Sequence, residues 1–140
     1  MSEQNKAVYA RFHEAVNSGD LDVIAKTIDE VVDPDVIFHA PVPMGMSGPE
    51  AMLRVWTVLL SAYPDVQVTT EDVVAEGDKV AYRQTVTATH QGEFFGIPAT
   101  GRHVTYNEMF IVRFAGGRIA EVWGVVDVLA QMRQLGAFPA

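Results

Sequence analysis

No cysteine occurs in these 140 residues, which removes disulfides, thiolate metal sites and cysteine nucleophiles from consideration. Positive charge is scarce as well: 10 Lys and Arg stand against 18 Asp and Glu, for a formal net charge of −8. Such a balance argues against nucleic acid and anionic membrane surfaces as partners. No apolar run approaches the roughly 18 residues that a spanning helix needs, and Met1 to Lys6 is polar; the expectation is a soluble cytoplasmic protein. The histidines number 4 and are scattered without i, i+4 pairing, so no metal site is expected. Gly92, Gly96 and Gly101 have the wrong spacing for a phosphate loop and precede no helix. A nucleophile elbow is missing too.

What is present is a chain 49% hydrophobic and 20% charged, enough for one independently folding domain over 1–140. Val8, Phe12 and Val16 recur at four-residue spacing and predict a helix over Gln4 to Ser18, stopped by Gly19. Asp20 caps a second, with Leu21, Ile24 and Ile28 on one face, before Asp33-Pro34 excludes further helix. A short strand, Asp35 to His39, leads to a Pro/Met/Gly loop over Ala40 to Gly48. Ser47 and Glu50 have capping-box spacing and Pro49 fits the first turn of a third helix reaching Tyr63. Beyond Pro64 the period falls to 2 and β-branched residues dominate. Four strands are predicted: one through Val66, Val68, Val73 and Val74, one over Lys79 to His90, one over His103 to Phe114, and one over Arg118 to Val126. A short helix with Leu129, Met132 and Leu135 closes the chain. Segregated helices and strands indicate α+β, and a curled sheet closed by helices leaves a conical pocket.

The element order, the run Gly92-Glu93-Phe94-Phe95-Gly96-Ile97-Pro98-Ala99-Thr100-Gly101-Arg102, the stretch Gly117-Arg118-Ile119-Ala120-Glu121-Val122-Trp123 four residues before Asp127, and the closing Gln134-Leu135-Gly136-Ala137 together resemble SnoaL-like polyketide cyclases of the NTF2-like, ketosteroid-isomerase-like superfamily. The resemblance spans essentially the whole chain. It implies a cone-shaped α+β barrel, a homodimer or homotetramer formed through the outer sheet face, and an apolar cavity for a polycyclic ligand. It also implies an intramolecular aldol condensation, or a related proton-shuttling isomerisation, without metal or organic cofactor. One aspartate serves as acid/base in such cyclases, and its match here is Asp127. Where that pattern tends to place a polar residue after the tryptophan, this chain has Gly124. A non-catalytic ligand-binding or dimerising domain on the same scaffold is one alternative. A hydrolase resembling limonene-epoxide hydrolases is another, and it would need a second carboxylate from Glu108 or Glu121.

An aldol closure needs a base for a proton α to a carbonyl and a donor for the developing oxyanion, and one carboxyl group raised by burial can serve both ends. Asp127 ends an apolar strand where a helix starts, so a helix cap is its other reading. Alternation backwards from Asp127 puts Val125, Trp123, Glu121 and Ile119 on one face, so Trp123 is expected to share the pocket. His90 and His39 each end a strand before a loop and are expected at the cone's mouth, with His90 the better proton carrier. Arg83 anchors a substrate carboxylate or carbonyl, or pairs with Glu108 or Glu121. Asn107 could donate to an oxyanion. Met44, Trp56, Tyr63, Phe95 and Phe110 are the soft and aromatic candidates for pocket walls.

Overall fold

The computed structural model describes residues 2–137. Helices α1 (Ser2–Asn17) and α2 (Leu21–Val31) form a hairpin through Gly19, whose φ of +68° is the left-handed turn that glycine accepts without strain. Asp20 caps α2 as expected, accepting from the backbone N–H groups of Asp22 and Val23. Ile24 and Ile28 of its inner stripe are fully buried, each contributing about 1.5–3 kcal/mol by burial. No loop follows. The chain passes directly into β1 (Val32–His39), longer at its start than the predicted strand because Asp33-Pro34 accepts an extended backbone at a sheet edge.

Helix α3 (Gly48–Ala62) has Pro49 in its first turn, but Ser47 makes no side-chain capping bond, so the expected capping box does not form. The strands β2 (Gln67–Glu76), β3 (Lys79–Thr89), β4 (His103–Ala115) and β5 (Arg118–Val126) follow as a meander, and α4 (Val128–Gln134) closes the chain. Among the described residues, no helix is long and apolar enough to cross a membrane.

The sheet order is β1-β5-β4-β3-β2, with β1 parallel to β5 and every other pair antiparallel. The sheet curves without closing: β1 and β2 remain edges, and the helices rather than strand pairing complete the cone. In the centre, Val80, Tyr82, Gln84, Val86 and Ala88 of β3 stand opposite Val112, Phe110, Glu108, Tyr106 and Val104 of β4. This is the concave face, and it packs against the helices in a continuous hydrophobic core. The register between β4 and β5 shifts after Arg113 paired with Glu121, where Phe114 meets Ile119. Ala120 is the extra residue of that bulge, and it turns Ile119 inward, against the simple alternation that placed Ile119 with Trp123.

Candidate active site

Between the concave sheet face and helices α1 and α3 lies a cavity of about 300 Å³, at the small end of ligand sites. Its walls are apolar: Phe12, Val16, Phe38, Met52, Val58, Leu59 and Val122 among them. Met44, Trp56, Phe95 and Phe110 all line it, as expected from their softness and aromatic character. Tyr63 stands one layer behind, buried, with its hydroxyl accepting from Gln131 Nε2 at 2.7 Å, and Gln131 is itself part of the wall.

Among the described residues one carboxylate reaches this cavity, that of Glu108. It sits on β4 between Tyr106 and Phe110 on the concave face, directly across from Gln84. Burial among apolar and aromatic side chains pushes its pKa up from 4.5 to about 7. The group is therefore poised to take or give a proton near neutrality. Around it stand phenols. Burial, with a smaller contribution from the Glu108 charge, raises Tyr9, Tyr82 and Tyr106, so all three remain protonated donors. The Tyr9 hydroxyl is held on both sides, accepting from Gln84 Nε2 at 2.8 Å and lying 2.6 Å from Thr70 Oγ1. Tyr82 stacks on Phe110 at 5.4 Å and packs at a tilt against Tyr9 at 4.2 Å, which fixes the wall beside Glu108. His13 is also in the wall, but its Nε2 is occupied 2.7 Å from the Val68 carbonyl.

The site residues expected at the end of β5 sit elsewhere. Asp127 is exposed, and its Oδ1 accepts from the Ala130 N–H at 3.0 Å as the cap of α4. Alternation grouped Asp127, Val125, Trp123 and Glu121 correctly on one face, but that face is the convex one. Trp123 lines a shallow groove there with Met109, Ile111 and Val125. His39 lies on the same outer side, stacked on Trp123 at 5.4 Å and 2.8 Å from Glu121 Oε2, away from the cavity mouth. Glu121 also pairs with Arg113, and the His39 contact together with Arg113 keeps its carboxyl below the usual range. Arg83 pairs with Asp72 at 2.8 Å, not with Glu108 or Glu121, on the outer face. Asn107 is exposed, its Oδ1 accepting from Thr85 Oγ1 at 3.3 Å, and it faces no oxyanion site.

His90 is fully buried but does not line the cavity. The Thr100 N–H donates to its Nδ1 at 3.1 Å, so that nitrogen is unprotonated and the ring proton resides on Nε2. His90 thus fastens the loop of residues 90–102 rather than shuttling a proton. Nε2 is buried without a hydrogen-bond partner, and Tyr63 lies beside the ring at 5.7 Å. Because Asn is as good a cap as Asp, Asp127→Asn is expected to leave the melting midpoint and turnover unchanged, whereas Asp127→Ala costs about 1 kcal/mol of stability. Thermal melts paired with turnover assays check this; a large rate loss in Asp127→Asn would return the acid/base role to Asp127.

Gly124 also acquires a role. It faces Phe110 across β4 and β5, and a Cβ there would collide with the ring, 2.9 Å from Cζ. The aromatic ring of Phe110 occupies the space that a side chain after the tryptophan would need. Among the described residues no cluster of three His, Asp or Glu gathers to hold a metal ion.

The model for the SnoaL-like polyketide cyclase family matches residues 6–135. The aklanonic acid methyl ester cyclase DnrD of Streptomyces peucetius is 31% identical over 129 residues, covering 90% of this chain and 86% of DnrD. Among solved structures, TsrD of Streptomyces laurentii superimposes with a TM-score of 0.86 at 29% identity, over 99% of this chain and 98% of TsrD. AclR of Streptomyces galilaeus, described as a candidate hydroxylase, gives a TM-score of 0.85 at 32% identity, over 100% of this chain and 85% of AclR. With a family match across nearly its whole length and a relative 31% identical over 90% of it, the chain belongs to the SnoaL-like polyketide cyclases.

Proposed function

We propose that this protein catalyses an intramolecular aldol condensation of an apolar, ring-bearing polyketide, with Glu108 as the acid/base. The observation that carries the reading is a lone carboxylate, raised to about 7, in an apolar cavity walled by phenols. In the proposed reaction the Glu108 carboxylate removes a proton α to a carbonyl, and the resulting enolate carbon attacks a second carbonyl of the same molecule. A carbon–carbon bond forms while the attacked C=O becomes an alkoxide. Protonated Glu108 returns its proton to that oxygen, leaving a neutral β-hydroxy ketone and the starting carboxylate. Tyr82 and Tyr106, both in the wall and both protonated, are the donors available to the oxyanion on the way. The apolar enclosure restricts the bound chain to folded conformers in which the two carbon centres of the one molecule lie close together. DnrD, a cyclase by name, supports the reaction class; the cavity chemistry supports the residue.

The test is proton exchange at carbon. An anthraquinone carrying a β-keto side chain, incubated with the protein in deuterated buffer, is expected to gain deuterium at the activated carbon faster than in buffer alone and to yield cyclised product. Exchange no faster than in buffer alone, with no cyclised product, would sink the reading.

We also propose that the partner of the convex face is a second copy of this chain. Val74, Met109 and Val125 are 64%, 60% and 74% exposed there. The face also carries both members of the Asp72–Arg83 pair, charges of both signs that a second copy of the same patch could meet across a two-fold axis. Light scattering is expected to give a homodimer, and Val125→Glu a monomer; a wild-type monomer at micromolar concentration would refute it.

A further inference from the structure

Phe94 and Ile97 close a two-residue hairpin, Phe94 N–H donating to the Ile97 carbonyl at 3.0 Å and Ile97 N–H returning to the Phe94 carbonyl at 2.9 Å. Its central residues, Phe95 and Gly96, have φ of +45° and +82°, the signature of a type I′ turn. The first central position of such a turn suits Asn, Asp or Gly, because left-handed backbone crowds a larger side chain. Phe95 is the only non-glycine residue with positive φ among the described residues, and the residue is 58% exposed. Two penalties therefore meet at one residue, a strained backbone and a large apolar surface left in water. Either would be relieved by Asn or Gly.

The ring's position gives the reason for keeping it. Phe95 packs edge-on against buried Phe94 at 4.6 Å and lines the cavity at its rim, where Pro43 and Arg54 are the other exposed wall residues. A cavity of about 300 Å³ is at the small end of ligand sites, so a ring system larger than the cavity would extend past the rim at Phe95. We infer that Phe95 is a substrate-binding residue whose exposed ring stacks on the planar, projecting part of the ligand while the reacting end sits inside. This rests on the reading of the cavity as a ring-binding site, and it adds that the substrate is larger than the cavity and planar where it leaves it.

The experiment measures Kd for two probes, 8-anilinonaphthalene-1-sulfonate and 1,8-dihydroxyanthraquinone, by fluorescence, in wild type and in Phe95→Gly, Phe95→Asn and Phe95→Tyr. Gly and Asn are expected to fold with a thermal midpoint equal to or above that of wild type yet bind about tenfold more weakly, while Tyr retains wild-type Kd. Affinities within twofold of wild type for Gly and Asn would overturn the inference. So would a midpoint lowered by several degrees in both, because Phe95 would then be held for stability. Wild type failing to bind the naphthalene probe would overturn it as well. Wild type binding that probe but not the anthraquinone would instead refute the polyketide reading and leave the Phe95 contact standing.

Discussion

Glu108→Gln is expected to lower kcat for ring closure by roughly 10²–10⁴, the usual worth of a positioned acid/base. Exchange of the α-proton should fall in parallel, because the amide cannot accept it. In wild type the rate should rise with pH through an apparent pKa near 7, as the Glu108 carboxyl ionises into its basic form. The same substitution has a stability signature of opposite sense. The folded-state pKa lies above the unfolded value of 4.5, so between about 4.5 and 7 the native state holds a proton that the unfolded chain has released. Wild-type stability therefore declines across that window and stays low above it, by up to roughly 3 kcal/mol. Glu108→Gln removes the decline and should be more stable than wild type at pH 8 while nearly inactive. Denaturant titrations at pH 4.5 and pH 8 beside turnover measurements check both halves. A variant that is destabilised and fully active would refute them together.

Gly92→Ala is expected to be the most damaging single methyl addition outside the sheet. Gly92 lies against the end of α3, its N–H donating to the Ala62 carbonyl at 3.0 Å. A Cβ there would run into the Ser61 carbonyl oxygen, with the carbonyl carbon at 3.0 Å and the Ala62 Cα at 3.3 Å. Those are backbone atoms, so nothing yields by changing rotamer. Overpacking of this kind costs about 1–3 kcal/mol, and more where main chain must move. Since Gly92 seats the loop that carries Phe94, Phe95 and the Thr100 bonded to His90, ligand affinity should fall with stability. A melting midpoint within a degree of wild type would show that the loop is not seated as described.

Much of the fold was legible because turn residues and period shifts mark the element boundaries. Gly19, Asp20, Pro49 and Pro64 each have a local physical consequence. The site was less legible. In β5, Val122, Trp123, Val125 and Val126 are apolar on both faces, because the concave side faces the cavity and the convex side carries its own apolar patch. Alternation there sorts residues into two groups without saying which group points inward. The bulge at Ala120 then switches the order at Ile119. In β4 the signal was present. Glu108 shares its face with Val104, Tyr106, Phe110 and Val112, and a single acid on an otherwise apolar stripe marks a carboxyl facing a cavity. Reading Glu108 chiefly as a partner for an arginine concealed it, whereas Arg83 stands on the opposite face and finds Asp72.

The pairing of β1 with β5 also bears on how the molecule assembles and breathes. Val32 meets Ile119 and His39 meets Trp123 across most of the chain length, whereas β2 through β5 pair with their neighbours in sequence. Local pairings close short loops, whereas the distant β1–β5 ladder closes the longest one, and the α1–α2 hairpin that precedes β1 supplies Tyr9, Phe12 and Val16 to the cavity wall. Amide hydrogens of β3 and β4 should therefore exchange only on global unfolding, while those of α1 and β1 exchange through a partial opening that bares the cavity from its helical side.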